Sequence, residues 1–188
     1  MNTFEFVIDR IYRAIFLTLH WLVGYGAAFI LLGATMLAIV EIVRRYIFGM
    51  VFEWGQDAVI YISVASMFLF FAVTQARRSH LAMSAGVDLL RARGHEKLVL
   101  SIRAVISLIG VVLWGFYAWW GIPTVLRTME MGRTTQSMLL QVWPFQLALL
   151  LGFALMSLVC LFQCYQDVQE IRGKKVFPWA PVEEGIQI

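Results

Sequence analysis

The chain has 188 residues, 61% of them hydrophobic and 14% charged, with two cysteines and a formal charge of +3. Soluble domains run at about 45–50% apolar and about 25% charged, so a soluble core, a disordered chain and a disulfide scaffold are all excluded. The basic excess is too small and too scattered for a nucleic-acid footprint. What remains is an all-α integral membrane protein with short loops.

Residues 1–16 come first. Phe4, Val7, Ile8, Ile11 and Ile15 share one helical face, while Glu5, Asp9 and Arg13 occupy others. This amphipathic segment is either an interfacial helix or an extension of the first span into the cytoplasm. Beyond it, four stretches hold no Lys, Arg, Asp or Glu: Ala14–Val40, Ala58–Ala76, Ala104–Leu126 and Thr134–Gln166. A bilayer core of about 30 Å needs roughly 20 apolar residues at about 1.5 Å each. Transmembrane helices are therefore predicted at 17–40, 58–74, 104–120 and 142–162, with 58–74 the shortest. They must be helices because backbone groups in lipid have to be satisfied internally. No small-residue cleavage site follows the first span before Glu41, so it reads as an uncleaved helix.

The connections carry the charges. Arg44 and Arg45 follow the first span at helical spacing from Glu41, which suits ion pairing. The segment 81–100 mixes Leu81, Met83, Leu89 and Leu90 with Arg91, Arg93 and Lys97. It is too charged to span and too apolar for a free loop, so a surface-lying helix on the cytoplasmic side is expected. Gly121–Gln141 contains Gly121, Pro123 and Gly132 and is expected to be mostly irregular or short-helical. Cys160 and Cys164 stand one helical turn apart in the last span and read as packing residues. The tail, 173–188, carries Pro178 and Pro181 and is expected to be weakly ordered.

Eleven of the fifteen Lys and Arg residues fall in the N-terminal segment, the second connection and the tail. That asymmetry places both termini in the cytoplasm. Trp54, Trp119, Trp120 and Trp143 stand near span boundaries, where tryptophan forms an interfacial belt. Gly24/Ala28 and Ala148/Gly152 are small-xxx-small pairs that permit close helix approach. Ser63, Ser66 and Ser107 are placed to hydrogen-bond between helices.

Catalytic and cofactor chemistry is not visible in the sequence. His20 is the one ionisable residue in a predicted span, and a bis-histidine haem needs a partner that the spans do not offer. No phosphate-cradling loop, metal-ligand cluster or nucleophile arrangement stands out. An ion-coupled carrier would be expected to hold acids in its spans. The chain therefore reads as a non-enzyme and as an accessory to a larger membrane protein. The competing reading is a membrane anchor or electron-transfer subunit of an oxidoreductase complex.

Residues 44–90 carry parts in a recognisable order: Arg44-Arg45-Tyr46-Ile47-Phe48-Gly49 closing the first span, then Trp54 with Gln56 and Asp57 opening the second. Arg77, Arg78, His80 and Leu81 close that span. This resembles the small permease subunit of tripartite ATP-independent periplasmic (TRAP) transporters, the DctQ-like family. That family commonly has Glu where this chain has Gln56, and its Val-Asp pair comes later here, at Val87-Asp88. The resemblance implies a bacterial inner-membrane subunit that braces a large, roughly twelve-helix permease. That partner would carry sodium and an organic acid delivered by a periplasmic binding protein, and this chain would hold no cofactor of its own. It also implies roles for single residues. Trp54 anchors the second helix at the headgroups, and Gln56 and Asp57 cap it or meet a partner subunit. Arg77, Arg78 and His80 hold its other end through phospholipid phosphates or the helix C-terminus.

Overall fold

The computed structural model describes residues 3–78, 96–137, 139–174, 176, 177 and 179. Helix α1 (Thr3–Thr18) passes through a π-helical segment (Leu19–Gly24) into α2 (Tyr25–Val43), and a second π-helical segment (Arg44–Phe48) ends the run. The junction residues Thr18, Gly24 and Val43 all keep right-handed helical dihedrals. The amphipathic start is thus a direct continuation of the first span. Three further helices follow: α3 (Gly55–Ala76), α4 (Glu96–Glu130) and α5 (Trp143–Ile171). Counting Val7–Phe48 as one, four helices are long and apolar enough to cross a membrane. At about 1.5 Å per residue, the 22 residues of α3 give about 33 Å, the 35 of α4 about 52 Å and the 29 of α5 about 44 Å. Only α3 matches the bilayer core closely, so α4 and α5 must tilt or project beyond it.

The stops are local. Gly49 and Gly132 sit at φ 64° and 58°, the left-handed conformation that closes a helix without a Cβ clash. Arg133 N–H then donates to Thr128 O at 3.2 Å, satisfying a carbonyl of the last turn of α4. Helix α3 stops differently, with Arg78 itself at φ 52°. A non-glycine residue there costs conformational energy, and the contacts of its side chain offset it.

Helix α3 packs on α2 and on α5, and α5 packs on α4. The described helices therefore stand in a row, α2–α3–α5–α4, instead of closing into a square bundle. The core lies on the α3–α5 seam, where Leu19, Ala72, Ala76, Met156 and Val159 are buried together. Small residues bring the helices close enough. A Cβ on Gly152 would sit 3.1 Å from the carbonyl oxygen of Phe68, and one on Gly110 would sit 2.9 Å from Cys160 Sγ. Gly152 of the Ala148/Gly152 pair is thus spent within this chain, as is Gly24, which faces Val73. Both cysteines are free thiols, and Cys160 is buried in the α4–α5 seam.

Two expectations change. The Gly121–Gln141 connection is helical as far as Glu130, with Pro123 inside α4. Proline has no N–H for the carbonyl four residues earlier, that of Trp119, while Thr124 Oγ1 donates to Trp120 O at 3.0 Å and Thr128 Oγ1 to Thr124 O at 2.8 Å, each a bond back to the preceding turn of its own helix. Beyond the helix, Thr134 and Gln141 form an isolated bridge and Thr135 N–H donates to Leu140 O at 2.8 Å. The start of the tail is packed, not loose: Phe177 is buried on Tyr12, and Trp179 Nε1 donates to Asp9 Oδ1 at 2.7 Å. Aromatic area outweighs the ordering cost that the prolines suggested. Most of the surface helix expected over 81–100 lies outside the described residues, and 96–100 form the start of α4.

Candidate functional site

Polar side chains gather at the two ends of the row. One end holds Glu41 and the start of α3. The other holds the end of α3, α5 near Asp167 and the middle of α4 near Ser107.

At the Asp167 end, Arg78 turns inward. Its Nη1 lies 2.7 Å from Asp167 Oδ1, and the carboxylate is fully buried. Ser107 Oγ donates to Asp167 Oδ2 at 3.1 Å, which ties α4 into the pair. Arg78 Nη2 also reaches Gln163 O and Gln166 Oε1, each at 3.3 Å. Beside it, Gln163 Nε2 donates to Gln75 O at 2.6 Å and Gln75 Nε2 to Gln163 Oε1 at 2.8 Å. The left-handed turn at Arg78 makes this possible by rotating the side chain off the helix axis toward α5. Arg77, one residue earlier, points the other way. Its Nη2 donates to His20 Nδ1 at 2.6 Å, and a guanidinium has no acceptor, so Nδ1 supplies the lone pair. The two arginines that the sequence treats as one motif thus have different jobs. Arg78 is a tie between helices and is not free for a lipid phosphate. His80 lies outside the described residues.

Asp167 was passed over because it falls just past the charge-free stretch. Its signal is the spacing. Gly152, Met156, Val159, Cys160, Gln163 and Asp167 are the buried residues of α5, a repeat of three and four that marks one packed helix face. A carboxylate and an amide on that face must be paired.

At the Glu41 end, Glu41 is only 6% exposed and pairs with Arg45 Nη2 at 3.1 Å. Its Oε2 would lie 2.5 Å from a Cβ on Gly55, the first residue of α3. Glycine leaves the acid of α2 that space, and a side chain at 55 would push the carboxylate aside. A carboxylate at that point also faces the partial positive charge of the α3 N-terminus. Arg44 takes a different partner, its guanidinium carbon 3.8 Å above the Phe52 ring. Trp54 is the N-cap residue of α3 and makes no side-chain cap hydrogen bond. The cap expected from Gln56 and Asp57 is replaced by a longer reach. Asp57 Oδ2 accepts from Ser137 N–H at 2.8 Å, and the hydroxyls of Ser137 and Thr135 hydrogen-bond to the same carboxylate. The acid thereby fastens the α4–α5 turn to the start of α3. Gln56 lines a cleft of about 430 Å³ with Glu41, Arg45 and Tyr46.

Among the described residues no His, Cys, Asp and Glu cluster has the arrangement of a metal site. The arrangement is built to hold helices together. Comparison with curated proteins and with solved structures gave no match. The family model described as tripartite ATP-independent periplasmic transporters, DctQ component, matches residues 34–170. That span covers α3, α4 and most of α5, including both polar ends. The chain belongs to the DctQ family, a membrane component of TRAP transporters and not an enzyme.

Proposed function

We propose that this chain is the static brace of a TRAP transporter in the bacterial inner membrane. It holds a large, roughly twelve-helix permease subunit in place while that subunit moves sodium and an organic acid by an elevator motion. A periplasmic binding protein delivers the acid. Both termini lie in the cytoplasm, which puts the Asp167 end on the cytoplasmic side and the Glu41 end on the periplasmic side. The basic asymmetry of the sequence supports that orientation. Arg44 and Arg45 run against it, but their charges are engaged by Phe52 and Glu41.

The observation that carries the reading is the row itself. Among the described helices α2 and α4 each pack on one side, and their apolar side chains include Phe29 at 79% and Trp119 at 74% exposure. Lipid can cover such surfaces, and so can another membrane subunit. Three of the buried polar side chains, Ser107, Gln163 and Asp167, are spent on ties between helices, which suits a frame that must not deform under a moving partner. Trp54 anchors the start of α3 at the headgroups, with its apolar ring in lipid and its N–H toward water.

The test is coexpression with a candidate large permease from a neighbouring reading frame. The two should copurify in detergent, and proteoliposomes holding both, with the binding protein added, should transport an organic acid in a sodium-dependent way. Transport by this chain alone would overturn the brace reading. So would failure to copurify with any such permease.

A further inference from the structure

A groove of about 370 Å³ opens between the first helical run and α3 at the Asp167 end. Its mouth is His20 and Arg77, and its walls include Gly24 and Ala28 on one side and Phe70 and Val73 on the other. The spacing fixes its direction. His20, Gly24 and Ala28 follow at four-residue intervals, and Arg77, Val73 and Phe70 descend opposite them. The groove therefore extends about 12 Å from the polar mouth toward the bilayer centre, at about 1.5 Å per residue. Gly24 and Ala28 keep one wall low. The π-helical turn Leu19–Gly24 sends Leu19 into the core and leaves His20 at the mouth. Arg77 is exposed, and it hydrogen-bonds to a ring nitrogen of His20, which cannot neutralise its charge.

We propose that this groove holds one anionic phospholipid of the cytoplasmic leaflet. Its phosphodiester sits on the Arg77 guanidinium and the His20 imidazole, and the start of one acyl chain lies along Gly24, Ala28 and Phe70. This deepens the brace reading and rests on its orientation. A fixed lipid there would fill the seam between α2 and α3 at this end, where no ion pair joins the two helices among the described residues. Arginine suits a phosphate because its planar fork of donors matches two oxygens at once. The apolar channel behind the mouth selects a lipid over free phosphate, since only a lipid brings a chain to fill it.

The test uses the full chain purified in mild detergent, with phosphatidylglycerol and phosphatidylcholine as probes and native mass spectrometry as the readout. The wild type should retain one phosphatidylglycerol in preference to phosphatidylcholine. Arg77→Ala should lower the retained fraction roughly tenfold, and Arg77→Lys should recover part of it. Ala28→Phe leaves both polar groups in place and fills the channel, so it should lower retention to a similar extent. Excess inorganic phosphate should leave the lipid bound. Retention unchanged in Ala28→Phe, equal retention of the two lipids, or displacement by inorganic phosphate would each overturn the proposal. Should Arg77→Ala fail to fold, Ala28→Phe decides alone, because Ala28 is exposed and outside the core. The outcome is separable from the brace reading: loss of lipid with intact permease copurification removes only the groove, and the reverse removes only the brace.

Discussion

The two ends of the helix row solve the same problem with different chemistry. At the Asp167 end the ties run between side chains on separate helices, and the acid at their centre is fully buried. At the Glu41 end the ion pair lies within one helical turn, and the reach of Asp57 goes to the backbone and hydroxyls of a turn. The first arrangement fixes the register of α3, α4 and α5 against one another. The second fixes where a connection sits, and constrains helix register only through Gly55. An ion pair cut off from water is costly to break from one side, because the survivor stays buried and charged. The Asp57 carboxylate is only half-buried, so on losing its partners it can return to water. The comparison predicts a stiff end and a compliant end.

Asp167→Ala should have the largest effect. It leaves the Arg78 guanidinium facing α5 without its acid, with an expected loss of about 3–5 kcal/mol. The measurement is the unfolding midpoint in a denaturing-detergent titration. A double change, Arg78→Met with Asp167→Leu, should recover most of the loss, since well-packed apolar residues often replace a buried pair at little cost. If the double change is as unstable as the single one, the pair is not acting as a unit and the stiff end is misassigned. Next in size is Trp179→Phe, which keeps the ring contacts with Tyr12 and Phe177 but removes the N–H to Asp9. Its expected cost is about 0.5–1.5 kcal/mol, read as faster hydrogen exchange in α1 with α3 unchanged. Equal exchange in both variants would separate the tail from the stiff end.

Much of this was legible in the sequence, and the misses share a cause. Charge-free stretches located the four membrane helices because a single charge in lipid outweighs any local propensity. The same rule hid Asp167. Scanning for charge marks where a span must end by composition, whereas burial at Asp167 depends on Arg78 arriving from another helix. Helix α4 runs past its expected end because Pro123 and Gly121 are breakers by local propensity alone, whereas Gly121 lies against Leu150 of α5 and packing carries the helix onward. The tail was misjudged for a similar reason: Phe177 and Trp179 gain order from Tyr12, some 165 residues away in the chain. The motif Arg77–Arg78 was visible as a pair, but only backbone dihedrals reveal that φ of 52° at Arg78 sends the second arginine inward. What the sequence conveys well is solvent preference, and what it conveys poorly is which distant group completes a polar pair.

Asp57→Ala is the gentlest probe and the sharpest for the compliant end. The change removes the acceptor for Ser137 N–H and for the hydroxyls of Ser137 and Thr135. The turn keeps its own bonds, Thr135 N–H to Leu140 O at 2.8 Å and Val142 N–H to Arg133 O at 3.1 Å. Its internal shape should therefore persist while its attachment to α3 loosens. Hydrogen exchange should rise at Ser137, with Thr135 still protected, and the unfolding midpoint should move far less than in Asp167→Ala. A midpoint shift as large as that of Asp167→Ala would erase the distinction between the ends. It would make the turn between α4 and α5 a structural tie equal to the buried pair, with the Glu41 end as rigid as the Asp167 end.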